Sequence, residues 1–459
     1  MSDSSVLVLD GAAVVTMDAA RTEHATAYVV LRDDRIESVT AGNAPEDVRR
    51  GAGRLVDATG CLLTPGLVNT HQHLYQWTTR GHAVDSTLFE WLTTLYPVWA
   101  GIDEEVVRAS AAAALGWMAR TGTTTSTDHH YVFPRGGGDL LGAEVAAAAE
   151  VGLRFSPTRG SMDLGRSRGG LPPDSVVEDL DAILAATEDA IARFHDPAPG
   201  AMVRVAVAPC SPFSVTAELM TEAAALARRS GVRLHTHLAE TTDEEAFCRE
   251  RFGASPTEYV ESLGWLGEDV WMAHAVHLDD AAVARFAATG TGVAHCPSSN
   301  ARLGAGIART RDLRDAGVPV GLGVDGAASN EAGSLIEVAR HAVLFARARG
   351  GPDALTVRDA LEMATIGGAR VLGRDDEIGS VEPGKLADLA LWRLDTLAHA
   401  GIEDPVTALL LGSAPPLELL LVGGRPVVER DRVVTVDEDT LARDAETAAR
   451  TLLARAAAA

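Results

Sequence analysis

His71 and His73 stand two residues apart, just past the apolar pair Leu67-Val68 in the stretch 62–80. Side chains on a strand alternate faces, so a strand ending here turns both imidazoles the same way. Two neutral imidazoles on one face make half of a metal site. Further donors recur along the chain: His235 and His237 with Glu240 three residues on, then His274, then Asp325 inside Gly323-Val324-Asp325-Gly326. Three imidazoles and one carboxylate suit Zn²⁺ or Fe²⁺ and leave a position open for water.

Something must bring these residues together. Residues 1 to about 65 read as short strands (6–9, 13–17, 27–31, 35–39), and Thr64-Pro65-Gly66 breaks the run. From Gly66 strands alternate with helices. Strands are expected at 66–71, 123–128, 153–158, 203–209, 232–238, 270–275, 292–296 and 318–324. Helices are expected at 104–120, with Asp103 as N-cap, and at 175–194, 217–230, 279–288 and 335–348. This pattern predicts an α/β fold, a (β/α)8 TIM-type barrel over 66–375. After a helix over 357–372 the strands return, at 389–392, 417–422, 425–429 and 433–436, and an Ala-rich helix closes the chain at 439–459. The two ends resemble each other, so the barrel is expected to be inserted in a small β-sandwich domain built from 1–65 and 376–459. Barrel chemistry sits at the C-terminal ends of the strands, where all these donors fall. The connections 75–101 and 160–173 are too long for plain turns and are expected to be active-site loops.

Composition narrows the partners. The 459 residues are 46% apolar and carry 40 basic against 64 acidic side chains, a net charge of −24. That balance disfavours nucleic acid and anionic membranes. No apolar run approaches the roughly 18 residues of a membrane span. Met1–Ser5 lacks the basic start of a signal peptide, so the protein is expected to be cytoplasmic. Cys61, Cys210, Cys248 and Cys296 are scattered, with no C-x-x-C and no disulfide framework. The H-x-E…P-C-x-x-C signature of zinc nucleobase deaminases is absent, since Pro209-Cys210 continues Ser-Pro-Phe. The one lysine is Lys385, so none is available mid-chain to bridge two metals.

Six motifs together carry a family resemblance. They are Pro65-Gly-Leu-Val-Asn-Thr-His71-Gln-His73, His237-Leu-Ala-Glu240-Thr, Ala273-His274-Ala-Val-His277-Leu, Pro297-Ser-Ser-Asn300, Gly323-Val-Asp325-Gly-Ala-Ala-Ser-Asn330 and Gly379-Ser-Val-Glu-Pro-Gly-Lys-Leu-Ala-Asp388. The chain resembles the amidohydrolase superfamily, in its branch of guanine deaminases, chlorohydrolases and S-adenosylhomocysteine deaminases. Tyr75-Gln76…Thr79-Arg80, Thr127-Asp-His-His-Tyr131 and Ala208-Pro-Cys-Ser-Pro-Phe-Ser-Val215 look most like 8-oxoguanine deaminases.

The resemblance implies one divalent metal per chain, Zn²⁺ first and Fe²⁺ second, held by His71, His73, His237 and Asp325. It implies Glu240, His274 and Asp325 as catalytic groups. Glu240 protonates a ring nitrogen and helps ammonia leave, Asp325 accepts a proton from water, and His274 polarises the nucleophile. Gln76 is the expected substrate-binding residue, because a carboxamide complements a lactam edge. Cys210-Ser211 stand where guanine deaminases resemble one another in an Arg-Phe pair, which argues against plain guanine. The reaction expected is 8-oxoguanine and water to urate and ammonia. Guanine or isocytosine deamination and hydrolysis of a hydroxyatrazine-type s-triazine amine are rivals, and a non-catalytic binding protein on the same fold is a remote one. The partner is a small heterocyclic amine, and family likeness alone suggests a homodimer. Roles for Arg80, His129, His130 and Cys210 stay open. His235, His277 and His295 read as structural.

Overall fold

The computed structural model describes residues 6–458. Met1–Ser5 and Ala459, the first and last residues of the terminal segments read above, lie outside the described residues. Seventeen strands are present among the described residues. The first five are β1 (Val6–Val15), β2 (Glu23–Arg32), β3 (Arg35–Ala41), β4 (Arg54–Asp57) and β5 (Cys61–Pro65). The next eight are β6 (Leu67–Asn69), β7 (Thr123–His130), β8 (Arg154–Ser161), β9 (Ala206–Pro209), β10 (Leu234–Leu238), β11 (Val270–His274), β12 (Gly292–His295) and β13 (Val320–Leu322). The last four are β14 (Leu389–Arg393), β15 (Leu417–Val422), β16 (Arg425–Glu429) and β17 (Arg432–Val433).

Strands β6 to β13 close into a parallel barrel in chain order, with β13 pairing back to β6. The other nine join one sheet in the order β17-β16-β15-β14-β5-β1-β2-β3, with β4 added on β1. N-terminal β5 pairs antiparallel with C-terminal β14, which joins the two ends of the chain. This sheet has an apolar core of its own, with Leu9, Val29, Leu63, Leu391 and Leu421. No helix among the described residues is long and apolar enough to cross a membrane.

Local signals place the helices. The helix Glu104–Arg120 starts where Asp103 accepts from Val106 N and carries Glu104 and Glu105 in its first turn. The helix Ala217–Ser230 ends on left-handed Gly231. Barrel and sheet meet where the Trp392 indole of β14 lies against Gly122, just before β7, and its Nε1 donates within the sheet to Thr64 Oγ1 at 2.9 Å. A Cβ on Gly122 would overlap that indole, so only glycine fits there.

The strands expected at 6–9 and 13–17 are the single strand β1, and the helix expected over 175–194 begins at Leu180. Three further expectations, which bear on how the site is held, need correcting. The first barrel strand stops at Asn69, so His71 and His73 do not converge by strand alternation. The backbone beyond β6 is held by its neighbours instead: Asp325 N donates to His71 O at 3.0 Å, and His129 N to Gln72 O at 2.7 Å. The eighth strand is likewise short, and Val324 N is caught by Asn69 Oδ1 at 2.8 Å rather than by a strand. The helix expected over 357–372 contains a π-helical turn at Met363–Gly367, which packs against β13 and β6. Strands β4 and β5 went unread because Gly53, Gly60 and Gly66 flank them and Asp57 and Pro65 end them.

Candidate active site

Four histidines face one another at the C-terminal mouth of the barrel, and their hydrogen bonds fix their tautomers. His73 Nδ1 lies 2.7 Å from His129 O, and His237 Nδ1 lies 2.6 Å from Cys210 O. A carbonyl can only accept, so both Nδ1 atoms carry hydrogen and both Nε2 atoms are bare. His235 Nδ1 donates to Trp271 O at 2.9 Å, which leaves its Nε2 to accept from His71 Nδ1 at 2.8 Å. His71 Nε2 is therefore bare too, and it is buried with no hydrogen-bond partner. His274 Nδ1 pairs with Asn300 Oδ1 at 2.9 Å and also turns a free Nε2 inward.

These lone pairs converge. His73 Nε2 and His237 Nε2 are 3.1 Å apart, and Asp325 Oδ1 lies 3.4 Å from His71 Nε2 and 3.3 Å from His73 Nε2. Facing lone pairs at such distances repel unless a cation stands between them. The buried cluster His71, His73, His237, with Asp325 and His274 alongside, thus fits a divalent metal by its donor chemistry. Burial and the neighbouring imidazoles hold His73 neutral, down to about 3, and burial holds His274 down to about 4. Burial opposes ionisation of Asp325, but the His71 contact and the surrounding imidazoles hold it well below the usual carboxylate range.

The carboxylates are fixed by their own shells. Asp325 Oδ2 accepts from Ser299 Oγ at 2.5 Å and Ser329 Oγ at 3.1 Å, and Oδ1 from Gly326 N at 2.7 Å. Glu240 Oε2 lies 3.5 Å from His274 Nε2. Its backbone N, and that of Ala239, donate to Glu244 at 3.0 and 2.9 Å. Ala239, His274 and Asp325 all sit at positive φ (52°, 70° and 65°), so strained backbone gathers at the site. Burial, then Asp325 and Glu244, push the Glu240 carboxyl well above its usual range.

A cavity beside the donors is lined by Gln76, Trp91, Tyr96, Tyr131, Cys210 and Glu240, among others. Gln76 is fully buried, and neither polar atom of its carboxamide has a partner. A Cβ on Gly326 would collide with that carboxamide, so Gly326 makes room for it. The helix Leu88–Trp99 forms one wall, as expected of the 75–101 connection, whereas nothing from 160–173 lines the cavity. Sequence reading missed Tyr96 and Trp91; an aromatic-rich helix in an overlong βα connection was the available signal. It also missed Ser299 and Ser329 as partners of Asp325, though both lie in motifs it singled out.

The remaining candidates have other contacts. Arg80 stacks on Trp77, 4.1 Å from its ring centroid, and does not line the cavity. His129 donates to Ala208 O and stacks on His237 at 4.6 Å. Cys210 Sγ lies 3.9 Å from His237 Nδ1, and burial pushes its thiol up to about 12, so it stays protonated. His277 and His295 reach Ala305 O and Thr310 Oγ1, as loop supports do.

Residues 62–426 match the Amidohydrolase family model. The chain belongs to the amidohydrolase family. It is 48% identical over 399 residues to an 8-oxoguanine deaminase of Pseudomonas aeruginosa, covering 86% of this chain and 88% of the relative. It is 39% identical to an isoxanthopterin deaminase from an unknown prokaryotic organism, covering 98% and 97%. Its fold matches the crystal structure of a zinc-complexed atrazine chlorohydrolase from Arthrobacter aurescens TC1 with a TM-score of 0.91, at 33% identity, covering 96% and 100%. This amidohydrolase is thus a hydrolase of C–N bonds, and its donor set suits a divalent metal.

Proposed function

We propose that this amidohydrolase hydrolyses the exocyclic amine of a purine-like base, with 8-oxoguanine going to urate and ammonia. The observation that carries the reading is Gln76. Its unpartnered, buried carboxamide opens on the same cavity as Glu240. One acceptor and two donors complement a lactam N–H/C=O edge, and a buried site built for such an edge discriminates strongly against ligands that lack it. The 48% identical deaminase supports the same substrate.

His71, His73, His237 and Asp325 would hold the ion. When bound, a divalent ion supplies a Lewis acid that lowers the pKa of water from about 15.7 toward about 7. The protein groups do the rest. Asp325, kept ionised by His71 and the surrounding imidazoles and oriented by Ser299 and Ser329, accepts one hydrogen of the attacking water. His274 Nε2, bare because Nδ1 is engaged by Asn300, accepts the other. Its role is then to orient water rather than to donate to a developing oxyanion. Glu240 delivers its proton to the ring nitrogen beside the amino-bearing carbon, which makes that carbon electrophilic. The proton returning from the added water lets the amine leave as ammonia.

The test is ammonia release by zinc-loaded enzyme from 8-oxoguanine, guanine, isocytosine and hydroxyatrazine, side by side. The reading expects a kcat/KM for 8-oxoguanine at least about tenfold above the others, a difference of about 1.4 kcal/mol. Preference for the triazine would overturn the substrate.

A further inference from the structure

Behind the cavity wall lies a second buried cluster that the chemistry above does not use. Asp128 and His130 end β7, and Glu144 points at them from the helix Leu140–Val151. All three are fully buried. His130 Nε2 lies 2.9 Å from Val132 O, so it carries a hydrogen and, in the neutral ring, Nδ1 is bare. That Nδ1 faces Glu144 Oε1 at 2.7 Å. A lone pair and a carboxylate oxygen do not approach so closely without a shared proton. Asp128 Oδ2 and Glu144 Oε2 have no donor, and the two carboxyl groups adjoin each other. Among the described residues, no arginine or lysine forms an ion pair with either carboxylate.

The end of β7 that carries the cluster grips the recognition turn residue by residue. Asp128 Oδ1 accepts from Leu74 N at 2.5 Å. His129 O accepts from His73 Nδ1 at 2.7 Å. The His130 ring meets the Tyr75 ring at 5.1 Å, inclined by 62°. The next residue is Gln76, in the 3-10 turn Leu74–Thr79.

We propose that Glu144, His130 and Asp128 form a proton-sharing positioning relay that sets the orientation of Gln76 without touching substrate or metal. This rests on reading Gln76 as the substrate-binding residue. Burial raises both carboxyls well above their usual range, which agrees with a retained proton. The three residues are positioning residues, so their loss should raise KM and spare kcat.

The experiment uses zinc-loaded enzyme with 8-oxoguanine as probe. Glu144→Leu is expected to raise KM about tenfold with kcat within about threefold and unchanged zinc content. Glu144→Gln, whose amide still donates to Nδ1, should restore KM to within about threefold of the wild type. The double variant Gln76→Ala, Glu144→Leu should be no worse than Gln76→Ala alone, because both changes act through one contact. Equal KM values for Glu144→Leu and Glu144→Gln would overturn the relay, and so would additive penalties in the double variant. An unchanged KM in Gln76→Ala alone would instead overturn the substrate reading. Two ions per chain falling to one in Glu144→Leu would make the cluster a metal site and overturn the relay. Should Glu144→Leu fail to fold, the wild type still decides: a strongly downfield exchangeable proton is expected in its NMR spectrum and should vanish in Glu144→Gln, and its absence overturns the relay.

Discussion

His71 Nδ1 donates to His235 Nε2 across 2.8 Å, and His235 in turn donates to Trp271 O. His235 also stacks on the Trp271 ring, with centroids 4.3 Å apart. It therefore fixes both the tautomer and the plane of a proposed metal ligand while contacting no metal itself. Outer-shell partners of this kind set ligand basicity and orientation. Replacing His235 by Phe is expected to weaken zinc affinity about 10- to 100-fold. Competition against a chelator of known affinity measures this, and an unchanged Kd would show that His71 needs no such support.

The role proposed for Glu240 is in the chemistry and not in metal binding. Its carboxyl lies in the cavity, 3.5 Å from His274 Nε2, and burial and Asp325 push it above its usual range. Glu240→Gln is expected to keep full zinc occupancy and lose about 10²- to 10⁴-fold in kcat. Turnover near the wild-type rate in the zinc-loaded variant would remove Glu240 from its role.

Metal removal should be reversible and stoichiometric. Chelation is expected to abolish ammonia release, and one equivalent of Zn²⁺ per chain should restore it. The ion should also raise the unfolding midpoint, since it binds the folded state. A second ion bridged by lysine has no residue to use: Lys385 Nζ is occupied by Asp375 O and Ser380 Oγ, in the segment leading to β14. Two ions per chain in metal analysis would contradict the site as drawn.

Much of this was legible in the sequence. The clustered donors were legible because imidazoles and carboxylates keep their chemistry whatever the backbone does, and the strands because they alternate with helices. What the sequence hid was contact at a distance. His235 read as a structural interior residue, one pleat from His237, and its bond to His71 spans 164 positions. Strand β7 is polar throughout, Thr-Thr-Thr-Ser-Thr-Asp-His-His, yet all of it is buried. That combination marks a site rather than a packing strand, but burial cannot be read from residue type alone. The direction of His71 and His73 was anticipated for the wrong reason, because a three-residue strand hands them to a hydrogen-bonded loop.

Barrel and sheet are pinned by one buried ion pair. Arg154 on β8 meets Asp388 with Nε–Oδ2 at 2.6 Å and Nη2–Oδ1 at 3.1 Å, and both side chains are 2% exposed. Asp388 Oδ1 also accepts from Gly423 N. Removing the carboxylate strands a buried guanidinium, so Asp388→Ala is expected to cost about 3–5 kcal/mol of stability. Denaturant unfolding of the zinc-loaded protein measures it, and a loss below about 1 kcal/mol would show the pair to be incidental.

The most direct test of the central claim is the fate of 8-oxoguanine in ¹⁸O-labelled water with zinc-loaded enzyme. The account predicts one ammonia released per urate formed, with one ¹⁸O in the urate at the carbon that bore the amine. Unchanged 8-oxoguanine, or a product that keeps its exocyclic nitrogen, would contradict it.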